Sequence, residues 1–202
     1  MRFEIIKEPF DKGVKLFKRK FITVEPGVTV LVGCNGAGKT TMLRQIENQL
    51  KKENKKYLHF DNHSQGDHFA MDRYGFEENF NALATMFCSS EGERIMVVLG
   101  EQAAKVGRIA RNSRGEDIYI LMDAVDSGFS IDNVCELKEY LFQTVMEDHL
   151  DGDVYIICTA NSYEMARGED CIDVESCTHR RFADYDEYRD FILESRKVKN
   201  ER

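Results

Sequence analysis

The chain has 202 residues, 42% of them hydrophobic, which is enough to bury one core without disulfide or metal staples, so a single domain over residues 1–202 is expected. Its six cysteines (Cys34, Cys88, Cys135, Cys158, Cys171, Cys177) lack the spacing of a secreted disulfide scaffold, no apolar run reaches the roughly 18 residues of a membrane span, and the start MRFEIIKEPF is no signal peptide; a cytoplasmic location away from membranes is the expectation. The formal charge of −8 is uneven: residues 1–60 hold 13 Lys/Arg against 6 Asp/Glu (+7), which leaves −15 for the remainder and suits an anion at one end and a basic partner, or plain solvent, at the other.

In chain order, Phe21 to Val32 (FITVEPGVTVLV) predicts a strand, a Pro26-Gly27 turn and a second, buried strand, because β-branched residues dominate and no helical period fits. A glycine-rich loop follows, and from Thr41 the apolar positions Met42, Ile46 and Leu50 recur every four residues, the spacing of a helix. Tyr57 to Phe60 predicts a short strand with the polar loop Asp61 to Asp67 at its carboxyl end, where ligands sit in parallel sheets. Residues 76–88 and 91–112 have helical spacing, with Ser89-Ser90 as a cap before the second. Asp117 to Met122 and Val154 to Thr159 read as buried strands separated by a helical segment from Asp132 to Asp148. Tyr185, Tyr188, Phe191 and Ile192 predict an amphipathic helix whose polar tail SRKVKNER is expected to fray. Strand and helix alternate, so the expected fold is α/β: three layers around a mostly parallel sheet.

Gly33-Cys34-Asn35-Gly36-Ala37-Gly38-Lys39-Thr40 matches the phosphate-loop pattern G-x-x-x-x-G-K-[ST] between a predicted strand and a predicted helix, as its mechanism requires. Glycines let backbone N–H groups converge on phosphates, the helix amino end adds partial positive charge, Lys39 reaches the β- and γ-phosphates, and the Thr40 hydroxyl ligates magnesium. ATP with magnesium is the expected cofactor pair. Asp123 ends a buried strand, where its carboxylate can hold the magnesium shell opposite Thr40; a strand-terminating turn also favours Asp.

These parts, in this order, resemble the ABC-type ATPases, a family that includes transporter cassettes and the soluble SMC, RecF and OLD-nuclease heads. The loop GCNGAGKTT is similar to that family's G-x-N-G-x-G-K-[ST]-[ST], which implies nucleotide contacts from Gly33, Asn35, Gly36, Ala37, Gly38, Lys39, Thr40 and Thr41. Ser89-Ser90-Glu91-Gly92-Glu93 looks like the family signature, Asp123 fits its second magnesium motif, Ser127-Gly128 looks like the loop that follows, and Gln65 would be the glutamine that meets the metal. The resemblance runs from Phe21 to Ser162 and implies an ABC-ATPase-like fold and a homodimer with ATP at its interface, in which Ser90 and the Gly92 amide touch the γ-phosphate held by the other subunit.

The chain also departs from that family. Lys39 and Ser90 are only 51 positions apart, which leaves no room for a transporter's helical lobe or a coiled-coil arm, whereas Ser90 to Asp123 spans 33, longer than usual. Ala124 stands where the family has its catalytic Glu, and a methyl group cannot polarise water. Asn161 stands where a switch His is expected, and Asp126 is the nearest carboxylate that could replace the missing Glu.

Other clusters are less specific. Asp61, His63, Asp67 and His68 would suit a metal or simply a polar loop, and Cys171, Cys177 and His179 read as packing or surface residues. The basic clusters Lys18-Arg19-Lys20 and Lys51, Lys52, Lys55, Lys56, and the stripe Lys105, Arg108, Arg111, offer a nucleic acid a hold but are ordinary for solvated surfaces. Phe10 and Phe17 lie where an aromatic stacks on adenine in some family members; core packing accounts for either as well. The expected function is an ATP-gated ATPase, slow or dependent on an unidentified partner protein; a nucleoside or nucleotide kinase and a non-hydrolysing ATP-bound interaction module are the alternatives.

Overall fold

The computed structural model describes residues 1–10, 13–61, 115–127, 129–142 and 152–201. Its elements are β1 (Arg2–Glu4), β2 (Phe21–Thr23), β3 (Gly27–Val32), α1 (Lys39–Lys52), β4 (Lys56–Asp61), β5 (Ile118–Asp123), α2 (Ile131–Glu136), a π-helical stretch (Leu137–Phe142), β6 (Val154–Thr159), α3 (Tyr163–Ala166), β7 (Asp170–Asp173), β8 (Thr178–Arg180) and α4 (Tyr185–Asn200). The main sheet has the order β4-β5-β6-β3-β7-β8, parallel throughout except for the antiparallel edge pair β7-β8, while β1 and β2 pair antiparallel beside it.

Parallel strands covered on both faces read as unbroken apolar runs, and every residue of β5 and β6 is buried. The two-residue period of a strand divides those side chains between two cores. Ile118, Ile120 and Met122 join Val154, Ile156 and Cys158 on one face, under Val134, Leu137, Met165, Phe182 and Tyr188. Tyr119 and Leu121 join Tyr155 and Ile157 on the other, against α1 and the aromatics Phe3 and Phe17. The Tyr119 and Tyr155 rings stack across β5 and β6 at 4.7 Å. This is the expected three-layer α/β phosphate-loop fold with a mostly parallel sheet.

α1 buries Met42, Leu43, Ile46 and Leu50, the stripe its spacing predicts, and places Lys51 and Lys52 in the last turn, where they oppose the helix dipole. The segment predicted as helix from Asp132 starts one residue earlier and passes from α- to π-helical hydrogen bonding at Leu137; residues 143–151 lie outside the described set, as do the predicted helices 76–88 and 91–112.

The expectation that fails is the frayed tail. α4 runs to Asn200, capped at its start by Asp184, whose carboxylate accepts the Glu187 N–H at 2.9 Å, while Glu187 accepts the Ala183 N–H at 2.9 Å. Its inner face (Tyr188, Ile192, Ser195, Lys199) follows the i, i+4, i+7, i+11 stripe of one helix side, and the polar half of that stripe has a partner in the protein.

Candidate phosphate-binding site

β3 and α1 place the segment 33–40 at the carboxyl edge of the sheet, with β6 and β7 on either side of β3. Gly36 and Gly38 hold left-handed backbone, φ 77° and 112°, that a side chain would strain. A Cβ on Gly38 would also crowd the Phe17 ring at 3.0 Å, and one on Gly36 would displace the Lys199 ammonium 2.8 Å away. Within the loop the Ala37 N–H closes a turn onto the Cys34 carbonyl at 3.0 Å.

Lys39, the first residue of α1, folds back so that Nζ donates to the Gly33 carbonyl at 2.8 Å. Burial pushes its ammonium below the usual lysine value, and Cys34, Asp126 and Asp123 act in the opposite direction. A partly desolvated cation held over the glycine loop is the electrostatic complement of a polyphosphate.

Thr40 and Asp123 converge from α1 and β5: Thr40 Oγ1 donates to Asp123 Oδ1 at 3.1 Å. The same oxygen accepts the Thr159 hydroxyl at 2.6 Å, and Thr159 Oγ1 in turn accepts the Ala124 N–H at 2.7 Å. A hydroxyl and a buried carboxylate sharing one point beside a phosphate loop are the oxygen donors that a hard divalent cation takes, so Thr40 and Asp123 fit magnesium. Thr159 is missing from the sequence reading; its signal is a polar residue closing an otherwise apolar run at the ligand edge of the sheet.

Beyond Asp123 the chain turns sharply. Ala124 has φ 51°, the left-handed region, and is buried. Asp126, also buried, uses Oδ2 to accept the N–H groups of Asn161 (2.8 Å) and Ser162 (2.6 Å), while Oδ1 has no hydrogen-bond partner among the described residues. Asp126 thus fastens the turn after β6 to the turn after β5, and Asn161 stands exposed at that junction.

The outer side of the loop is closed by α4. Ser195 is buried and its Oγ accepts the Cys34 N–H at 3.1 Å; Lys199 Nζ donates to the Asn35 carbonyl at 2.9 Å. Of the two candidate adenine-stacking aromatics, Phe17 is fully buried against the loop and Phe10 is 80% exposed. Cys171 and Cys177 are buried, and His179 pairs with Asp170 at 2.7 Å. Gln65, Ser90 and Gly92, the loop residues His63, Asp67 and His68, and the stripe Lys105, Arg108, Arg111 lie outside the described residues. No helix among the described residues is long and apolar enough to cross a membrane.

The family model "ATPase family associated with various cellular activities (AAA)" matches residues 29–170, which is 142 of the 202. No curated protein matches the chain. Among solved structures, one of a DNA replication initiation factor is 14% identical with a TM-score of 0.41, over 87% of this chain and 46% of that one. Another, of an E. coli MS115-1 HORMA:CdnC:Trip13 complex, is 16% identical with a TM-score of 0.41, over 85% of this chain and 54% of that one. The chain spans about half the length of these structures.

Proposed function

The chain belongs to the ATPase family associated with various cellular activities (AAA), and from that premise we propose that it is an ATP-gated switch whose own hydrolysis is slow. Binding and turnover have different requirements here. The loop glycines, Lys39, Thr40 and Asp123 supply what binding needs: backbone free of side chains, a desolvated cation and oxygen donors suited to magnesium, which would neutralise phosphate charge when bound.

The observation that carries the proposal is Ala124. Hydrolysis joins a water oxygen to the γ-phosphorus, breaks the bond to the β-phosphate oxygen and sends the water proton to a base. Directly after Asp123 the chain offers a methyl group, and the nearest carboxylate downstream, Asp126, already holds two backbone amides with one oxygen. A positioned base contributes typically about 10²- to 10⁴-fold, so its loss leaves nucleotide binding intact and turnover small. Asp126 Oδ1, or a partner residue supplied in trans, would provide whatever turnover there is, with Asn161 alongside.

The finer part of the proposal is ATP-dependent homodimerisation of the ABC type, supported by the order of the phosphate loop, Ser89 to Glu93, and Asp123 in the sequence. Light scattering tests it. ATP with magnesium is expected to double the mass of the wild type but not of Ser90→Arg, whose bulk obstructs the γ-phosphate; a mass unchanged by ATP at high protein concentration would leave ATP binding without the dimer.

A further inference from the structure

The last turns of α4 rest on the phosphate loop, an unfavourable neighbour for an anion site. The carboxyl end of a helix carries partial negative charge, roughly half an elementary charge, and this end is the one packed against residues 34–36. Two side chains one turn apart make the contact. Ser195 is buried and accepts the Cys34 N–H at 3.1 Å, which fixes the helix against the loop and leaves Lys199, four residues on, directly over Asn35 and Gly36.

Lys199 Nζ donates to the Asn35 carbonyl at 2.9 Å, and its stem crosses Gly36, where a Cβ would lie 2.8 Å from Nζ and 3.2 Å from Cε. Lys39 takes the same posture from α1. Its Nζ donates to the Gly33 carbonyl at 2.8 Å, so two ammonium groups from different elements hold alternate carbonyls of one loop. Surface lysines of this protein commonly pair with carboxylates, as Lys18, Lys20, Lys51 and Lys56 do. Lys197, in the same last turn of α4, is taken by Glu194 at 3.0 Å, whereas Lys199 forms no ion pair among the described residues. Its charge is left for the loop.

We infer that Lys199 is a second cation of the phosphate site, a positioning residue that offsets the carboxyl end of α4 and adds its field across the loop without touching the nucleotide. The inference rests on the reading of this loop as an ATP site and goes beyond it by assigning a role to α4. Lys39 is desolvated, but Lys199 is exposed, so the two cations leave different signatures. The contribution of an exposed charge is screened by salt and grows with the charge of the ligand, so it is larger for ATP than for ADP. A lysine that only braced the loop would affect both nucleotides alike at any salt.

Calorimetric titration of the full chain with ATP and with ADP tests this. In Lys199→Met, which keeps the stem and removes the charge, ATP affinity should fall about tenfold at about 0.1 M salt and ADP affinity by less. At about 1 M salt, where the screening length is about 3 Å, the loss for ATP should shrink to about twofold. Lys199→Arg keeps the charge and should bind ATP within about threefold of the wild type. Circular dichroism checks the fold of each variant, and Lys199→Ala replaces the methionine variant should that one misfold. Unchanged ATP affinity in Lys199→Met, an equal loss for ATP and ADP, a loss that persists at high salt, or an arginine variant no better than the methionine one would each overturn the inference. The two readings fail separately. A wild type that binds no ATP overturns the phosphate site itself, whereas binding lost in Lys39→Ala and retained in full in Lys199→Met overturns only the role of Lys199.

Discussion

Thr40 Oγ1 and Asp123 Oδ1 lie 3.1 Å apart, although 83 positions separate them in the chain. One is the last residue of the phosphate-loop motif in the first turn of α1 and the other ends β5, two strands away from β3 in the sheet. Together they would hold magnesium, which would supply charge neutralisation to a bound phosphate, and the Thr159 hydroxyl at 2.6 Å fixes the carboxylate in place.

Asp123→Asn keeps the shape and removes the charge. Magnesium is expected to strengthen ATP binding by the wild type and to lose at least tenfold of that effect in the variant, as read by calorimetry with and without the metal. Equal magnesium enhancement in both proteins would remove Asp123 from the metal site.

Lys39→Ala removes the cation held at the Gly33 carbonyl beside the glycine loop and should lower ATP affinity by at least tenfold in a chain that still folds. The pH dependence follows from the same residue. Burial sets its folded pKa below 10.5, so its charge is lost on the alkaline side earlier than that of a free lysine. ATP affinity should fall as pH rises through that window. Stability of the nucleotide-free protein should rise there instead, because the unfolded chain then binds more protons than the folded one. Affinity that holds steady up to the ordinary lysine range would count against this role.

Ala124→Glu should raise steady-state phosphate release at least tenfold without strengthening ATP binding, since it adds a carboxylate directly after Asp123. The left-handed backbone at φ 51° is already occupied by a residue with a Cβ, so glutamate adds little further backbone strain. Brisk hydrolysis by the wild type alone would contradict the slow-switch reading.

Asp126→Ala leaves the Asn161 and Ser162 amides without their shared acceptor and should destabilise the protein by about 1–3 kcal/mol. For a chain of this size that is about 2–4 °C of melting temperature per kcal/mol. Asp126→Asn, which can still accept, should lose less stability. A normal melting temperature for Asp126→Ala combined with a collapse of turnover would instead assign Asp126 to the chemistry.

Ser195→Ala withdraws the acceptor from a buried amide of the phosphate loop and should weaken ATP binding about 3- to 10-fold. Ser195→Thr, which keeps the hydroxyl, should recover most of the loss. If the alanine variant binds ATP like the wild type, α4 merely covers the loop without shaping it.

The phosphate loop was legible from sequence because its chemistry is local: eight consecutive residues carry the glycines, the lysine and the hydroxyl, and the flanking β-branched run and four-residue stripe announce strand and helix. β5 and β6 were legible too, since strands buried on both faces read as unbroken apolar runs. The edge pair β7-β8 left little trace, because strands of four and three residues are too short for a period to emerge.

Only the tertiary structure decided who shares the site. Thr159 reaches Asp123 because β6 is the parallel neighbour of β5, an adjacency no local pattern encodes. Asp126 became a clamp on Asn161 and Ser162 by the same adjacency. The tail SRKVKNER reads as a fraying end since serine, lysine and arginine commonly face water, yet Ser195 and Lys199 continue the inner stripe of α4 and spend their polar groups on the phosphate loop. A sequence records which residues can donate and accept; which of them meet depends on the order in which strands assemble and on where a helix comes to rest.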